Sequence, residues 1–445
     1  MSTAPRVAVV GAGLAGLSAA VTLSRHGYGV ELHERSRLLG GKATSFTVEG
    51  VEVDNGQHVF LGCCTEFLDF VREVGMDQRI HIQPRFSATV WRRDRRPAHL
   101  TAARLPAPLH LLLAFARYHH LTARDRVRVA RALQAAKRGG AGEIDMATWL
   151  ARHGQNDSTR RAFWDPFLVP ALNAPLEDVS AADGLFVLRT AFLGGRDDAR
   201  IGYLTVPLAR LAEAAATRAR EVHTRSSVAA LDVERGRIVA LRLESGARAA
   251  CDACIVAVPP RRLAAILGTP EAYGIAGLDA FRTQPIVDVH LWYDRDVTTA
   301  DFAAILDSPV QWVFTKGPGY LCCSLSAAED LVGRPERELV ELCNAELMAC
   351  VPELHGATLL RGAATRDPEA TFVPALGLQR PSQRTLLPNL FIAGAWTDTG
   401  WPATMESAVR SGRAAAAALM AAHESGGTRL QGGASVAAAE MAHAV

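Results

Sequence analysis

Arg6-Val-Ala-Val-Val10-Gly11-Ala-Gly13-Leu-Ala-Gly16, followed by Leu17-Ser-Ala-Ala-Val21-Thr-Leu23 and Tyr28-Gly-Val-Glu-Leu-His33-Glu34, decides the fold. Five apolar-rich residues suit a central parallel strand, buried on both faces. Leu14, Leu17, Val21 and Leu23 then form a helical stripe, which stops at Gly27, a C′ glycine. A second strand runs from Tyr28 to His33, with the acidic Glu34 at its end. A GxGxxG alone is weak evidence, but between a strand and a helix it forms a dinucleotide cradle. Gly11 permits the tight turn, Gly13 lets a diphosphate approach the backbone, and Gly16 lets helix and strand pack closely. The positive end of the helix faces the phosphates, and Glu34 accepts hydrogen bonds from ribose hydroxyls.

Working outward, Gly40-Gly41-Lys42 precedes a hairpin turning at Glu49-Gly50, and Asp54-Asn-Gly-Gln-His58 interrupts the strand pattern. Residues 79–205 read as basic, helix-rich and proline-punctuated. An amphipathic helix is expected over 206–222, then a meander over 228–234, 237–244 and 247–251, ending in the buried run Ile255–Val258. Residues 286–294, 310–316 and 320–326 alternate as strands of an antiparallel sheet. A last parallel-type strand, Asn389–Gly394, leads into a helix over about 404–422. The expected fold is α/β: a discontinuous Rossmann-type FAD-binding domain (1–78, 206–262 and 385–422) with an inserted α+β substrate domain (79–205 and 263–384). Residues 423–445 read as a disordered tail.

FAD is favoured over NAD because the chain carries a second nucleotide contact near its C-terminus. Gly394-Ala-Trp-Thr-Asp-Thr-Gly-Trp-Pro-Ala-Thr-Met-Glu406, with Ser411-Gly412, joins a glycine-ended strand to a second helix N-terminus. That arrangement can hold a ribityl chain and the polar edge of a flavin. Gly41 and Lys42 likewise suit the longer cofactor. No second fingerprint is present for a nicotinamide cofactor, so the electron donor binds transiently or is a partner protein and is not identified.

The 445 residues exceed what one core organises, and 49% apolar with 21% charged residues is ordinary globular usage. The net charge of +2 argues against a protein that coats nucleic acid. It conceals a local asymmetry: residues 85–138 hold thirteen Arg or Lys and two acids, a net +11, which leaves −9 elsewhere. Arginines interleaved with Leu105, Leu109 to Leu113 and Phe115 suit a membrane interface with anionic lipid. No targeting segment and no membrane-spanning stretch is read, so the expected location is cytoplasmic, peripheral at the inner face of the membrane. The eight cysteines include adjacent pairs and suggest reduced thiols. Cys251 and Cys254 read as buried thiols rather than zinc ligands, and no metal site is expected.

The glycine motifs, Asp54–Gly62 and the C-terminal block together resemble the flavin amine oxidase and carotenoid desaturase superfamily. Phe163-Trp-Asp-Pro166, Ala171-Leu-Asn173-Ala-Pro175, Arg380-Pro381 and Trp396-Thr-Asp-Thr-Gly400 narrow the resemblance to its squalene-associated branch, the hydroxysqualene dehydroxylases. The resemblance covers about residues 5–420 and assigns Gly11, Gly13, Ala15 and Gly16 to the pyrophosphate. It assigns Glu34 to the ribose, Lys42 to the phosphate or ribityl region, and Val228 to the adenine edge. Arg35, Gly41, Gln57, His58, Gly394, Ala395, Trp396, Thr404 and Met405 complete the implied FAD set. Position 395 is a departure: many relatives carry an acid there, and Ala395 leaves the ribityl contacts to backbone groups and Thr397. The block holds no cysteine for a covalent flavin link.

The resemblance implies reductive removal of the hydroxyl of hydroxysqualene, or of a similar long-chain isoprenoid, to give squalene in hopanoid biosynthesis. Such a step needs hydride from reduced flavin and a general acid. Asp54, His58 and Asp398 are the candidates, and Trp396 and Trp401 are expected to wall the flavin. Alternatives are a carotenoid-type desaturase or isomerase, a flavin amine oxidase (the chain has only Lys42, Lys137 and Lys316), or a non-catalytic flavin-binding partner.

Overall fold

In the computed structural model, which describes residues 5–48, 50–106, 109–297 and 301–440, Arg6–Val10 is the centre of a five-stranded parallel sheet. Its neighbours are Gly29–His33 on one side and Ala253–Val256 on the other, with Glu221–His223 and Leu390–Ile392 at the edges. Alternation sends Val7, Val9, Ile255 and Phe391 to one face, where they pack with Leu17, Val21 and Leu23 of the first helix, Leu14–Arg25. That core also takes in Phe67, Phe70, Leu211 and Val409, from three further helices. Ala8, Val10, Cys254, Val256, Leu390 and Ile392 point the other way. They pack against a three-stranded meander and the helix Pro260–Leu267.

The meander runs Val228–Glu234, Arg237–Leu243 and Arg248–Ala250, as its turn signals require. The expected hairpin pairs Ser45–Val48 with Val51–Asp54; its turn residue Glu49 lies outside the described residues. The helix expected over 206–222 is shorter, Leu208–Ala216, because the chain leaves it to supply the edge strand Glu221–His223. The last helix, expected over about 404–422, has the bounds Met405–Glu440. Residues 441–445 lie outside the described residues.

A seven-stranded mixed sheet forms the second layer, ordered Leu359–Phe372, Thr283–Tyr293, Tyr320–Ser326, Trp312–Gly317, Phe302–Ile305, Ser87–Trp91, Ala98–Thr101. The last two strands lie inside the 79–205 stretch that reads as helical. Val90 and Trp91 are separated from Leu100 by an arginine-rich turn that masks the period. Val287, Val289, Leu291 and Leu321 face the helix Glu336–Cys350. The opposite face carries the helices of residues 112–192, with Trp149, Trp164, Leu168 and Leu185 in the core beneath. A small sheet of Phe60–Leu61, Ile201–Leu204 and Ile80–Ile82 stitches the two layers together, crossing the boundaries expected near 78 and 206.

Candidate active site

The cradle at Gly11–Gly16 is built by close approaches. Gly11 has φ +99°, and a Cβ there would lie 2.5 Å from the Ala257 carbonyl oxygen. A Cβ on Gly16 would collide with the Gly11 carbonyl oxygen. Gly13 differs, since a Cβ there would meet only Gly41 Cα, 4.0 Å away. The open face of Gly13 adjoins the second glycine turn, where Gly41 has φ +61°. The first helix starts at Gly13 with no side-chain cap and no acid in its first turn, so its N–H groups remain for an anion. The two turns touch, Gly40 N donating to the Ala12 carbonyl, so a diphosphate has the free helix N–H groups to meet rather than a gap between the turns. Ala15 is buried on the first turn of that helix.

Glu34 is buried and accepts from Ala12 N and Ser36 N, both at 2.8 Å. Arg35, Ser36, Ser227, Glu244 and Arg262 line a cavity of about 490 Å³. Val228 is buried at its edge, and its carbonyl accepts from Arg262 at 2.9 Å. Lys42 reaches the opposite way, donating to the Ala370 carbonyl at 3.0 Å and lying 3.7 Å from Asp367.

The C-terminal flavin loop is held by a residue whose role the sequence does not reveal. Arg380 donates to the carbonyls of Ala395 (2.8 Å), Trp396 (3.3 Å), Trp401 (2.6 Å) and Thr397, and to Thr399 Oγ1. Gly394 N donates to Ser411 Oγ, and Trp396 Nε1 donates to the Val258 carbonyl at 3.0 Å. Trp396 is buried against Phe281, and Trp401 meets Phe186. Thr404 caps the last helix by accepting from Ser407 N, and Met405 packs on the core beneath. Thr397 donates to the Gly394 carbonyl.

Of the three sequence-derived acids, the fold brings Asp54 and His58 together and sets Asp398 apart. Asp398 is exposed and accepts from Gly400 N at 3.3 Å. Asp54 Oδ1 accepts from Ser45 Oγ (2.7 Å) and from Leu208 N (2.9 Å), capping the helix Leu208–Ala216 from a distant segment. Its Oδ2 lies 3.6 Å from Lys316 Nζ. His58 donates through Nδ1 to the Gly56 carbonyl, and burial pushes it below the usual imidazole range.

The strand Thr283–Tyr293 adds two residues that sequence reasoning missed. Asp288 is 1% exposed and accepts from Gln57 N at 3.2 Å, so the seven-stranded sheet grips the 54–58 run directly. A Cβ on Gly56 would stand 3.2 Å from Asp288 Oδ2. Burial pushes the Asp288 carboxyl up to about 6, while Ser324, Gln57 and Lys316 pull the other way. His290 is buried, sits 2.8 Å from Tyr320 Oη through Nδ1, and is pushed down to about 4 by burial. An acid and an imidazole at alternate positions of an otherwise apolar strand were the available signal.

These side chains share one sheet face. Asp288, His290, Tyr320 and Cys322 form its polar end, and a bulge at 315–317 turns Lys316 toward Asp54. Trp312 and Phe314 continue the face into an aromatic cluster with Phe163, Phe167, Phe192 and Phe302. The face therefore runs from titratable side chains at one end to packed aromatic rings at the other.

A Rossmann-type sheet, a diphosphate cradle and a clamped second nucleotide loop define an FAD-dependent oxidoreductase. The chain belongs to the flavin containing amine oxidoreductase family, whose model matches residues 14–420. The hydroxysqualene dehydroxylase of Zymomonas mobilis is 26% identical over 92% of this chain and 97% of its own. That of Rhodopseudomonas palustris is 29% identical over 94% and 98%. The 15-cis-phytoene desaturase of Synechococcus elongatus is 25% identical over 94% and 96%. Among solved structures, an oxidoreductase from Methanosarcina mazei shares the fold, with a TM-score of 0.71, at 16% identity over 92% and 98%.

Proposed function

We propose that the protein removes the hydroxyl of hydroxysqualene, an allylic C30 alcohol, to give squalene, working at the inner face of a membrane. The observation that carries the reading is Asp288: a carboxyl that burial pushes up to about 6, at the polar end of an aromatic-lined face. Dehydroxylase relatives matched along nearly their full length support it.

When bound in its reduced form, FAD supplies the hydride that forms the new C–H bond. Asp288 donates its proton to the departing hydroxyl, so the C–O bond breaks with release of water rather than hydroxide. Asp54 pairs with Lys316, and Gln57 N on Asp288 keeps the 54–58 run in register with the sheet. His58 stays uncharged and adds no positive field against an allylic cation. The faces of Phe167 and Trp312 stabilise that cation and exclude water. Residues 1–78, 206–262 and 385–422 serve the cofactor, and 79–205 with 263–384 serve the substrate. The exposed Leu105, Leu109, Leu112 and Leu113, flanked by the arginines of 85–138, rest on anionic lipid and admit the isoprenoid. The reductant binds transiently or is a partner protein.

Anaerobic mixing of dithionite-reduced protein with hydroxysqualene tests this. Flavin reoxidation with stoichiometric squalene is expected; flavin that stays reduced overturns the reading. A second reading, dehydrogenation of a carotenoid precursor, is favoured by the desaturase relative. It predicts instead that oxidised protein is bleached by 15-cis-phytoene.

A further inference from the structure

Two tripeptides almost 200 residues apart share one pattern, Glu31-Leu-His33 and Glu221-Val-His223. The parallel pairing of their strands aligns them, Glu31 beside Glu221 and His33 beside His223. Paired residues of parallel strands project to the same face, so two imidazoles and two carboxylates meet at the sheet edge. Val30 and Leu32 point to the opposite face, into the core beneath the first helix.

Donor atoms of Glu31, His33 and His223 all lie within 4.8 Å of one another. The two rings stack with centroids 4.8 Å apart, and His223 Nε2 is 3.3 Å from Glu221 Oε2. His33 is 3% exposed; its Nδ1 lies 2.9 Å from Ser226 Oγ, and its Nε2 is buried with no hydrogen-bond partner. An Nδ1–H given to a hydroxyl fixes the tautomer that leaves an Nε2 lone pair, the arrangement of a metal-bound histidine. Burial keeps this ring uncharged, as a ligand must be. His223 and Ser226 also line an open cavity of about 510 Å³, which provides an entry path.

We propose that Glu31, His33 and His223 form a binding site for a divalent transition-metal ion of the zinc class, with Glu221 orienting His223. Two imidazoles and a carboxylate suit a borderline ion rather than calcium or magnesium. Tetrahedral ligation needs donor separations of about 3.3 Å, reached by rotating the half-buried Glu31 and the partly exposed His223. The ion joins the edge strand to the strand that ends in Glu34. Because Glu34 N donates to the His223 carbonyl and Ser226 N to the Glu34 carbonyl, it braces the adenosine end of the cradle.

The full-length, FAD-loaded protein is stripped with chelator and titrated with Zn²⁺, and retained metal is measured after dialysis. One zinc per chain is expected, with affinity reduced tenfold or more in both His223→Gln and Glu31→Gln. Flavin absorbance reports that each variant is folded. Cu²⁺ at the same site should show electron-spin splitting from two imidazole nitrogens, falling to one in His223→Gln. Loss of zinc on dialysis, or retention that neither substitution lowers, overturns the proposal.

Discussion

Asp288 holds its proton because it is removed from water while the nearest cation, Lys316, is already engaged by Asp54. A carboxyl pushed up to about 6 is a proton donor below that pH and an anion above it. Single-turnover squalene formation should therefore fall about tenfold per pH unit above this value. Asp288→Asn should lower the rate by about 10² or more and abolish that falling limb, since the amide can still accept from Gln57 N. Retained flavin absorbance separates this from misfolding, and an unchanged pH profile would assign the proton elsewhere. The same shift has a stability sign: the folded pKa lies above the unfolded one. The contribution is complete below about pH 4 and lost as pH rises through about 6. Asp288 was not legible in the sequence, because its role depends on Gln57 and Lys316 meeting it across strand register. Glu34 was legible, because its partners lie within one local unit.

At the level of elements, the glycine turns separate folding from binding. Gly16→Ala puts a methyl against the Gly11 carbonyl, in backbone that cannot retreat, and should leave little folded protein in expression and thermal-melt assays. Gly13→Ala brings its methyl only to ordinary contact with Gly41 Cα, 4.0 Å away, and should fold, yet lose most of its FAD on dialysis, because the methyl stands where the diphosphate approaches the backbone. Equal FAD retention by Gly13→Ala and the parent would remove Gly13 from the cradle. The first strand, helix and second strand were readable because strand and helix periods and glycine punctuation act within about 30 residues. The Ser87–Trp91 strand was not, since it pairs with Phe302–Ile305, more than 200 residues away, and Ala98–Thr101 is a strand only by pairing onto it. The Glu221–His223 strand was hidden similarly: local propensity continued a helix, and pairing with Gly29–His33 ended it. Arg380 was visible only as part of a family pattern. Its action as a clip for 395–401 comes from five acceptors gathered in space.

Across the whole molecule, charge and greasiness coincide. Leu109, Leu112 and Leu113 are 51%, 57% and 51% exposed within the block of net charge +11. No helix among the described residues is long and apolar enough to cross a membrane, so any lipid contact through helices is made from the surface. The protein should float with anionic liposomes at low salt and release as salt is raised, since exposed charges are screened within about 10 Å at 0.1 M. Leu112→Asp with Leu113→Asp should lower flotation at least severalfold without changing flavin absorbance. Failure to float at low salt would sink the membrane reading. The parallel sheet has a different consequence, for the order in which the protein is made. Its central strand is made about 250 residues before one neighbour, 253–256, and still earlier than the edge strand 390–392. Synthesis at about 5–20 residues per second leaves Val7 and Val9 without their full sheet for tens of seconds. The nascent central strand is thus a long-lived sticky edge until residues 253–256 and 390–392 are made.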